Sequence, residues 1–303
     1  MDQILFLFVD GIGIGSPDPG SNPFAAAETP FLQEVLGGQL TEATPSCHKG
    51  DLVFRRVDPT LGFSGLPQSA TGQATLLTGR NGAELMEGHY GPWPGPTLKA
   101  LLQEESLFVH VEANGGRAYL ANAYPPRYFT ALEERVLRVN APAFAAQSAG
   151  LELASIGAYR NGRALAADLT GEHLQKLDTD LPVFTPRQAG AHLARIAADY
   201  TFTFFDFWLS DRLGHRGDSV ASVALVESLD AFLSGLIPHL QGVTLVVTSD
   251  HGNLEDSSLR THTRAPVPLL VVGSAASQFR RTEDLTEIAP AIRRALGLST
   301  PNM

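Results

Sequence analysis

The sequence predicts an α/β fold: a doubly wound, mostly parallel sheet with helices on both faces and a small inserted cap. Three observations predict it. Unbroken apolar runs of strand length, residues 4–9 and 243–248 above all, alternate with helical patterns, and strands apolar on both sides mark a sheet covered on both faces. The chain has 303 residues, of which 44% are hydrophobic, enough to bury one large core. No repeat or low-complexity tract interrupts the alternation.

The elements follow in order. Residues 4–9, ILFLFV, are the first strand. Residues 29–36 are the first candidate helix. Residues 69–78 are the second, opened by Ser69 just after Pro67, and residues 97–104 are the third. The runs 107–111 and 117–121 are shorter, mixed and of β type. At 125–185 the character changes: PPRYF opens the stretch, LPVFTP closes it, and short mixed segments lie between. This stretch is expected as the cap, with residues 1–124 and 186–303 forming the core. A helix is expected at 187–198 and an aromatic strand, TFTFFDFW, at 201–208. The helix at 219–236 has the clearest period, with Val220, Val223, Ala224, Val226 and Leu229 apolar. Strands at 243–248 and 268–272 and a helix with an acidic start at 284–296 complete the core.

Composition excludes several classes. The net charge of −10, with no basic stretch to offset it, argues against a nucleic-acid partner. An anionic substrate stays open, because bound cations invert a local field. The first apolar run is too short to span a membrane, and Asp2 stands where a signal peptide carries Lys or Arg. The single Cys47 allows no internal disulfide and fits a reducing compartment. A cytoplasmic protein without a membrane partner is expected.

Ligands in open α/β sheets collect at the carboxyl ends of the strands. There the sequence repeatedly places metal-type donors. Asp10 follows the first strand, in VDGIGIG. Asp211 and His215 follow 201–208, in SDRLGHRGD. Asp250 and His251 follow 243–248, in SDHGN, and His262 precedes the last strand, in RTHTRAPVP. Aspartate and neutral histidine suit Zn²⁺ or Mn²⁺. Singly, each has a plainer reading: a turn or helix-cap aspartate, a local ion pair, a surface histidine. Six at one sheet edge point to a metal centre. GIGIG lacks the GxGxxG spacing of a dinucleotide loop. Ser69 reads either as a helix N-cap or as a nucleophile at a helix N-terminus, where free N–H groups favour an anion. Arg80, Arg212, Arg216 and Arg264 lie near these motifs, placed either to neutralise phosphate oxygens or to form local salt bridges. Arg127, Arg135, Arg138, Arg160 and Arg163 offer the same choice in the cap.

Together these stretches resemble the alkaline phosphatase superfamily of two-metal enzymes, nearest to its cofactor-independent phosphoglycerate mutase and phosphopentomutase branch. FVDGIGIGSPD is similar to that branch's opening strand and first metal aspartate, QSATGQATLLTGR to its nucleophile helix, SDRLGHRGD to its Asp-x-x-x-Gly-His element, and THTRAPVPLL to its His-Thr element. The resemblance implies an alkaline phosphatase-like core with Ser69 as nucleophile. It also implies two divalent cations, Mn²⁺ or Zn²⁺ with Mg²⁺ as a further choice. Asp10, Ser69, Asp250 and His251 would hold one, and Asp211, His215 and His262 the other. The implied substrate is a small phosphorylated metabolite, attacked by Ser69 to give a phosphoseryl intermediate. The chain departs from the mutases at Gln73, where they usually carry histidine, and in its smaller insertion. Hydrolysis of a phosphomonoester is therefore the expected reaction. A phosphomutase, or a phosphodiester or sulfate ester hydrolase, is the alternative, ahead of a non-catalytic metal-binding protein.

Overall fold

The computed structural model describes residues 2–298. Its strands are Gln3–Val9 (β1), Cys47–Lys49 (β2), Leu52–Val57 (β3), Ala118–Leu120 (β4), Phe202–Phe207 (β5), Val243–Thr248 (β6) and Val267–Val272 (β7). They form one sheet in the order β2-β3-β7-β6-β1-β5-β4. β1 lies between β5 and β6 and runs parallel to both, and β4 runs parallel to β5. Val9 pairs with Phe207 and Phe8 with Thr248, so three carboxyl ends meet at one edge.

Side chains alternate across this block, as a period of two requires. Ile4, Phe6, Phe8, Phe202 and Phe204 enter an apolar cluster on one face. Leu5, Leu7, Val9, Phe205 and Phe207 enter a second cluster on the other face. The helices Ser69–Thr78, Pro96–Glu105 and Ile288–Leu296 cover the first face. Pro30–Leu36, Pro186–Ala197 and Ser219–Leu236 cover the second.

The sheet is mixed rather than wholly parallel. β7 runs antiparallel to β6, β3 to β7, and β2 to β3. No helix stands between β6 and β7, and a strand pair without a helical crossover is joined antiparallel. The run 107–111, expected as β type, belongs to a helix, Leu107–Ala113. The Ser106 side chain accepts from Val109 N at 3.4 Å and caps it, and Leu107, Phe108 and Val111 are buried at helical spacing. The helix expected at 284–296 divides into a 3₁₀ turn, Leu285–Glu287, and the α-helix. Val220, counted on the apolar face of its helix, is 80% exposed; the buried stripe begins at Ser222 and runs through Val226, Leu229, Phe232 and Leu233.

Within 125–185 the structure has helices Pro126–Glu133, Ala141–Ser148, Ile156–Arg160 and Glu172–Gln175. Ala141, Ala143, Ala145 and Ala146 join the first apolar cluster, whereas Tyr159, Leu174 and Leu181 form a small third one with Ala123 and Ala154. Among the described residues one segment, Ser219–His239, has the length and mean hydropathy (1.7) of a membrane span. In this fold it packs on Pro186–Ala197, with Gly190 and Gly235 admitting the close approach.

Candidate metal centre

Each donor stands where its element ends. Asp10 follows β1 directly. β5 leads into a short helix, Leu209–Gly214, that carries Asp211 and is followed by His215. Asp250 and His251 lie just past β6. His262 lies in the loop before β7, which pairs back on the SDHGN turn through Thr263 N donating to Gly252 O at 2.9 Å. Ser69 is the first residue of its helix. The N-cap is Gln68, and Ser69 Oγ lies 3.1 Å from His251 Nε2. Ser69 thus faces the donors rather than capping its helix.

The six donors separate into two groups of three, Asp10 with Asp250 and His251, and Asp211 with His215 and His262. Within each group one ligand atom per residue lies within 4.8 Å of the others. In the first, His251 Nε2 is 3.5 Å from both Asp10 Oδ1 and Asp250 Oδ2. In the second, Asp211 lies 3.3 Å from His215 Nε2 and 3.6 Å from His262 Nε2. The His251 and His262 rings stack, centroids 3.7 Å apart and 16° from parallel, and so join the groups.

Three features fit a divalent cation in each group. First, His262 Nδ1 donates to Pro67 O at 2.7 Å and His215 Nδ1 to Arg260 O at 3.0 Å. A carbonyl only accepts, so each ring in its neutral form turns an Nε2 lone pair inward, and the two Nε2 atoms lie 3.2 Å apart. Lone pairs that close, beside a carboxylate, need a positive centre among them, and imidazoles oriented by a carbonyl are typical metal ligands. Second, Asp10 Oδ1 and Asp250 Oδ1 are buried without a hydrogen-bond partner. Third, burial, then the charges of Asp250 and Asp211, holds the Asp10 carboxyl well above the usual range. Burial, then Asp211, pushes Asp250 up to about 7. Burial, then His262, pushes His251 down to about 3. A cation would favour the ionised carboxylates. The mixed nitrogen and oxygen set suits Zn²⁺ or Mn²⁺.

Other polar groups hold the donors. Asn253 Nδ2 donates to Asp211 Oδ1 at 2.6 Å, and Gln73 Nε2 to Asp250 Oδ2 at 3.3 Å. Asp206, inside β5, is a buried carboxylate the sequence reading passed over, although a charge amid TFTFFDFW was its signal. It accepts from Asn140 Nδ2 at 2.9 Å.

The arginines are not brought together. Arg80 lies beyond the far end of the Ser69–Thr78 helix, about 15 Å along it from Ser69. It is more than half exposed and pairs with Glu105 at 3.7 Å. That is the local salt bridge its sequence position also allowed. Arg212 lies over the Trp208 ring, and Arg264 is tied to Phe63 O and Gly65 O. Arg216 is exposed. Arg160 pairs with Asp178.

Fold and donors together define the class: an alkaline phosphatase-like α/β core carrying paired metal-type clusters at its strand tips. Residues 187–300 match the family described as the Metalloenzyme superfamily. A 2,3-bisphosphoglycerate-independent phosphoglycerate mutase of Wolinella succinogenes is 32% identical over 124 residues, 38% of this chain and 25% of that protein. The match thus spans about a quarter of that relative's length. Among solved structures, a variant of the alkaline phosphatase from the Antarctic bacterium TAB5, with Mg bound in its M3 site, aligns with a TM-score of 0.59 at 11% identity, over 98% of each chain. Leishmania mexicana phosphoglycerate mutase aligns with a TM-score of 0.52 at 14% identity, over 99% of this chain and 96% of that one. The resemblance to the alkaline phosphatase superfamily and its mutase branch holds.

Proposed function

We propose that the chain is a metal-dependent phosphoryl-transfer enzyme acting on a small phosphorylated metabolite through Ser69. One observation carries this reading: the Ser69 hydroxyl stands 3.1 Å from His251 Nε2, where the two donor groups meet. Divalent cations, when bound by Asp10, Asp250, His251 and Ser69 and by Asp211, His215 and His262, supply positive charge to the attacking and leaving oxygens of an in-line displacement. Ser69 does the rest of the first step. Its Oγ attacks phosphorus, the ester P–O bond breaks, and the alcohol leaves as the phosphoseryl group forms. The N-terminus of the ten-residue Ser69–Thr78 helix turns its partial positive charge toward the phosphoryl oxygens. In the second step an acceptor hydroxyl attacks phosphorus and frees Ser69.

The acceptor decides the reaction. The curated relatives that match include phosphoglycerate mutases, which favours a second hydroxyl of the retained substrate over water. This reverses the order expected from the sequence, where hydrolysis stood first. Hydrolysis remains the second reading, supported by the 44% exposure of the His215 side chain. A screen of phosphorylated metabolites with Mn²⁺, Zn²⁺ or Mg²⁺, following free phosphate and isomerised product together, tests the proposal. Turnover of none of them, by a chain that binds metal, would reject it.

A further inference from the structure

The glycines of GIGIG leave room for particular side chains. Gly11 sits at φ +67°, and a Cβ there would overlap the Asp211 side chain. A Cβ on Gly13 would overlap the Glu255 carboxyl. One on Gly15 would stand 2.8 Å from the Glu255 carbonyl oxygen and 3.0 Å from its Cβ. A Cβ on Gly252, in the SDHGN turn, would overlap the same carboxyl. Three glycines from two loops thus make room for one side chain.

Glu255 is 3% exposed. Its Oε2 accepts from Gly13 N at 2.9 Å and from Asn253 N at 2.7 Å, and its Oε1 accepts from the Thr263 hydroxyl. Each donor lies on a different part of the chain next to a candidate ligand. Gly13 is three residues past Asp10, Asn253 two past His251, and Thr263 one past His262. Asn253 extends the network to Asp211 through its own side chain. Single backbone bonds also join these loops, Thr263 N to Gly252 O and Leu254 N to Gly11 O at 2.9 Å and Ile14 N to Pro266 O at 2.7 Å. The buried Glu255 carboxylate adds side-chain bonds to all three at one point, and each one broken would leave a buried polar group unpaired.

We propose that Glu255 is a positioning residue. Its carboxylate holds the loops after β1 and β6 and before β7 at one separation, and so sets the distance between the two donor groups and the coupling of the cations they hold. The inference rests on the metal-centre reading above. It gives the glycine run a purpose that the donor residues alone do not.

Mn²⁺ titration of the full chain, read by EPR, tests it, because two Mn²⁺ ions about 3.5–4 Å apart give a spin-coupled spectrum that isolated ions lack. Glu255→Ala is expected to weaken the second Mn²⁺ by on the order of tenfold or more and to abolish the coupled spectrum. Glu255→Gln should restore most of the coupling, since its amide oxygen still accepts from both N–H groups while its NH₂ meets the Thr263 hydroxyl. Glu255→Asp keeps the charge but shortens the reach, and should lose coupling while remaining folded. A merely structural role would lower melting temperatures and leave the coupling unchanged. A folded Glu255→Ala chain with the native coupled spectrum overturns the proposal. If that variant does not fold, the native spectrum in Glu255→Asp does the same. An unaltered chain that binds no Mn²⁺ rejects the metal-centre reading itself. Native coupling in every variant rejects only the role of Glu255.

Discussion

Ser69 separates two roles that look alike in sequence. A capping serine bonds to its own helix, but here Gln68 is the N-cap and the Ser69 hydroxyl faces His251. Ser69→Ala should therefore cost about 1 kcal/mol of stability or less, yet lower turnover by about 10³-fold or more. A denaturation midpoint and a rate on the same preparation check both. His262→Ala removes an inward Nε2, and Asp250→Asn removes charge from the first group. Elemental analysis should find each variant short of about one equivalent of metal, and full content in both would reject the ligand assignment. The donors were legible because strand-end Asp and His positions can be read off a linear pattern. Arg80 stayed open between phosphate contact and salt bridge because nearness in sequence ignores the length of a helix. Asp206 was missed because its partner, Asn140, is 66 residues away. Burial, then the Asp250 charge, pushes the Asp206 carboxyl up from 3.8 to about 7, against the Asn140 bond. Such a group stabilises the fold fully below its unfolded pKa, and that contribution is lost as pH rises through about 7. Asp206→Asn cannot ionise, so it should gain stability relative to the native chain between about pH 4 and pH 8, by a few kcal/mol at most. Urea midpoints across that range, with chelator present, check the sign; a flat difference would show that burial costs Asp206 nothing.

Among the elements, the clearest sequence signals were long helical stretches. Ser69–Thr78 and Ser219–Leu236 appear with the bounds the pattern implied. Leu107–Ala113 did not, because a five-residue run with four apolar positions satisfies strand and helix alike, and the Ser106 cap decides between them only when its side chain is seen. The pairing of Pro186–Ala197 with Ser219–Leu236 was also hidden, since it depends on two glycines far apart in sequence. A Cβ on Gly190 would overlap Phe232 O, and one on Gly235 would overlap Arg187 O. Both obstacles are backbone, which cannot swing aside. Gly190→Ala and Gly235→Ala should each destabilise the fold at or beyond the upper end of the ~1–3 kcal/mol typical of overpacking, even though alanine favours helix. Thermal unfolding measures this, and a raised melting temperature would mean that the helices part without loss.

For the whole molecule, the sequence showed a two-sided sheet but not its mixed direction, because the direction of β7 depends on a loop path and not on strand composition. The same scale governs the outcome of phosphoryl transfer. A mutase must keep the dephosphorylated half of its substrate beside the phosphoseryl group until a second hydroxyl attacks, and must keep water away meanwhile. The matching relatives include mutases, but the match spans about a quarter of such a protein, and part of 125–185 packs into the core. Asp211 and His215 keep side-chain exposures of 18% and 44%. Return of the phosphoryl group should therefore compete with water. With 3-phosphoglycerate, or with ribose 1-phosphate if the preference is for a pentose, isomerised product is expected to accumulate first, accompanied by a measurable leak of free phosphate. Phosphorus NMR of one reaction mixture reads both products. A leak that falls as added viscogen or a tighter-binding substrate lengthens retention would show that release and return share one phosphoseryl state. Free phosphate as the sole product, with every substrate that turns over, would make the chain a phosphatase that shares its core with the mutases.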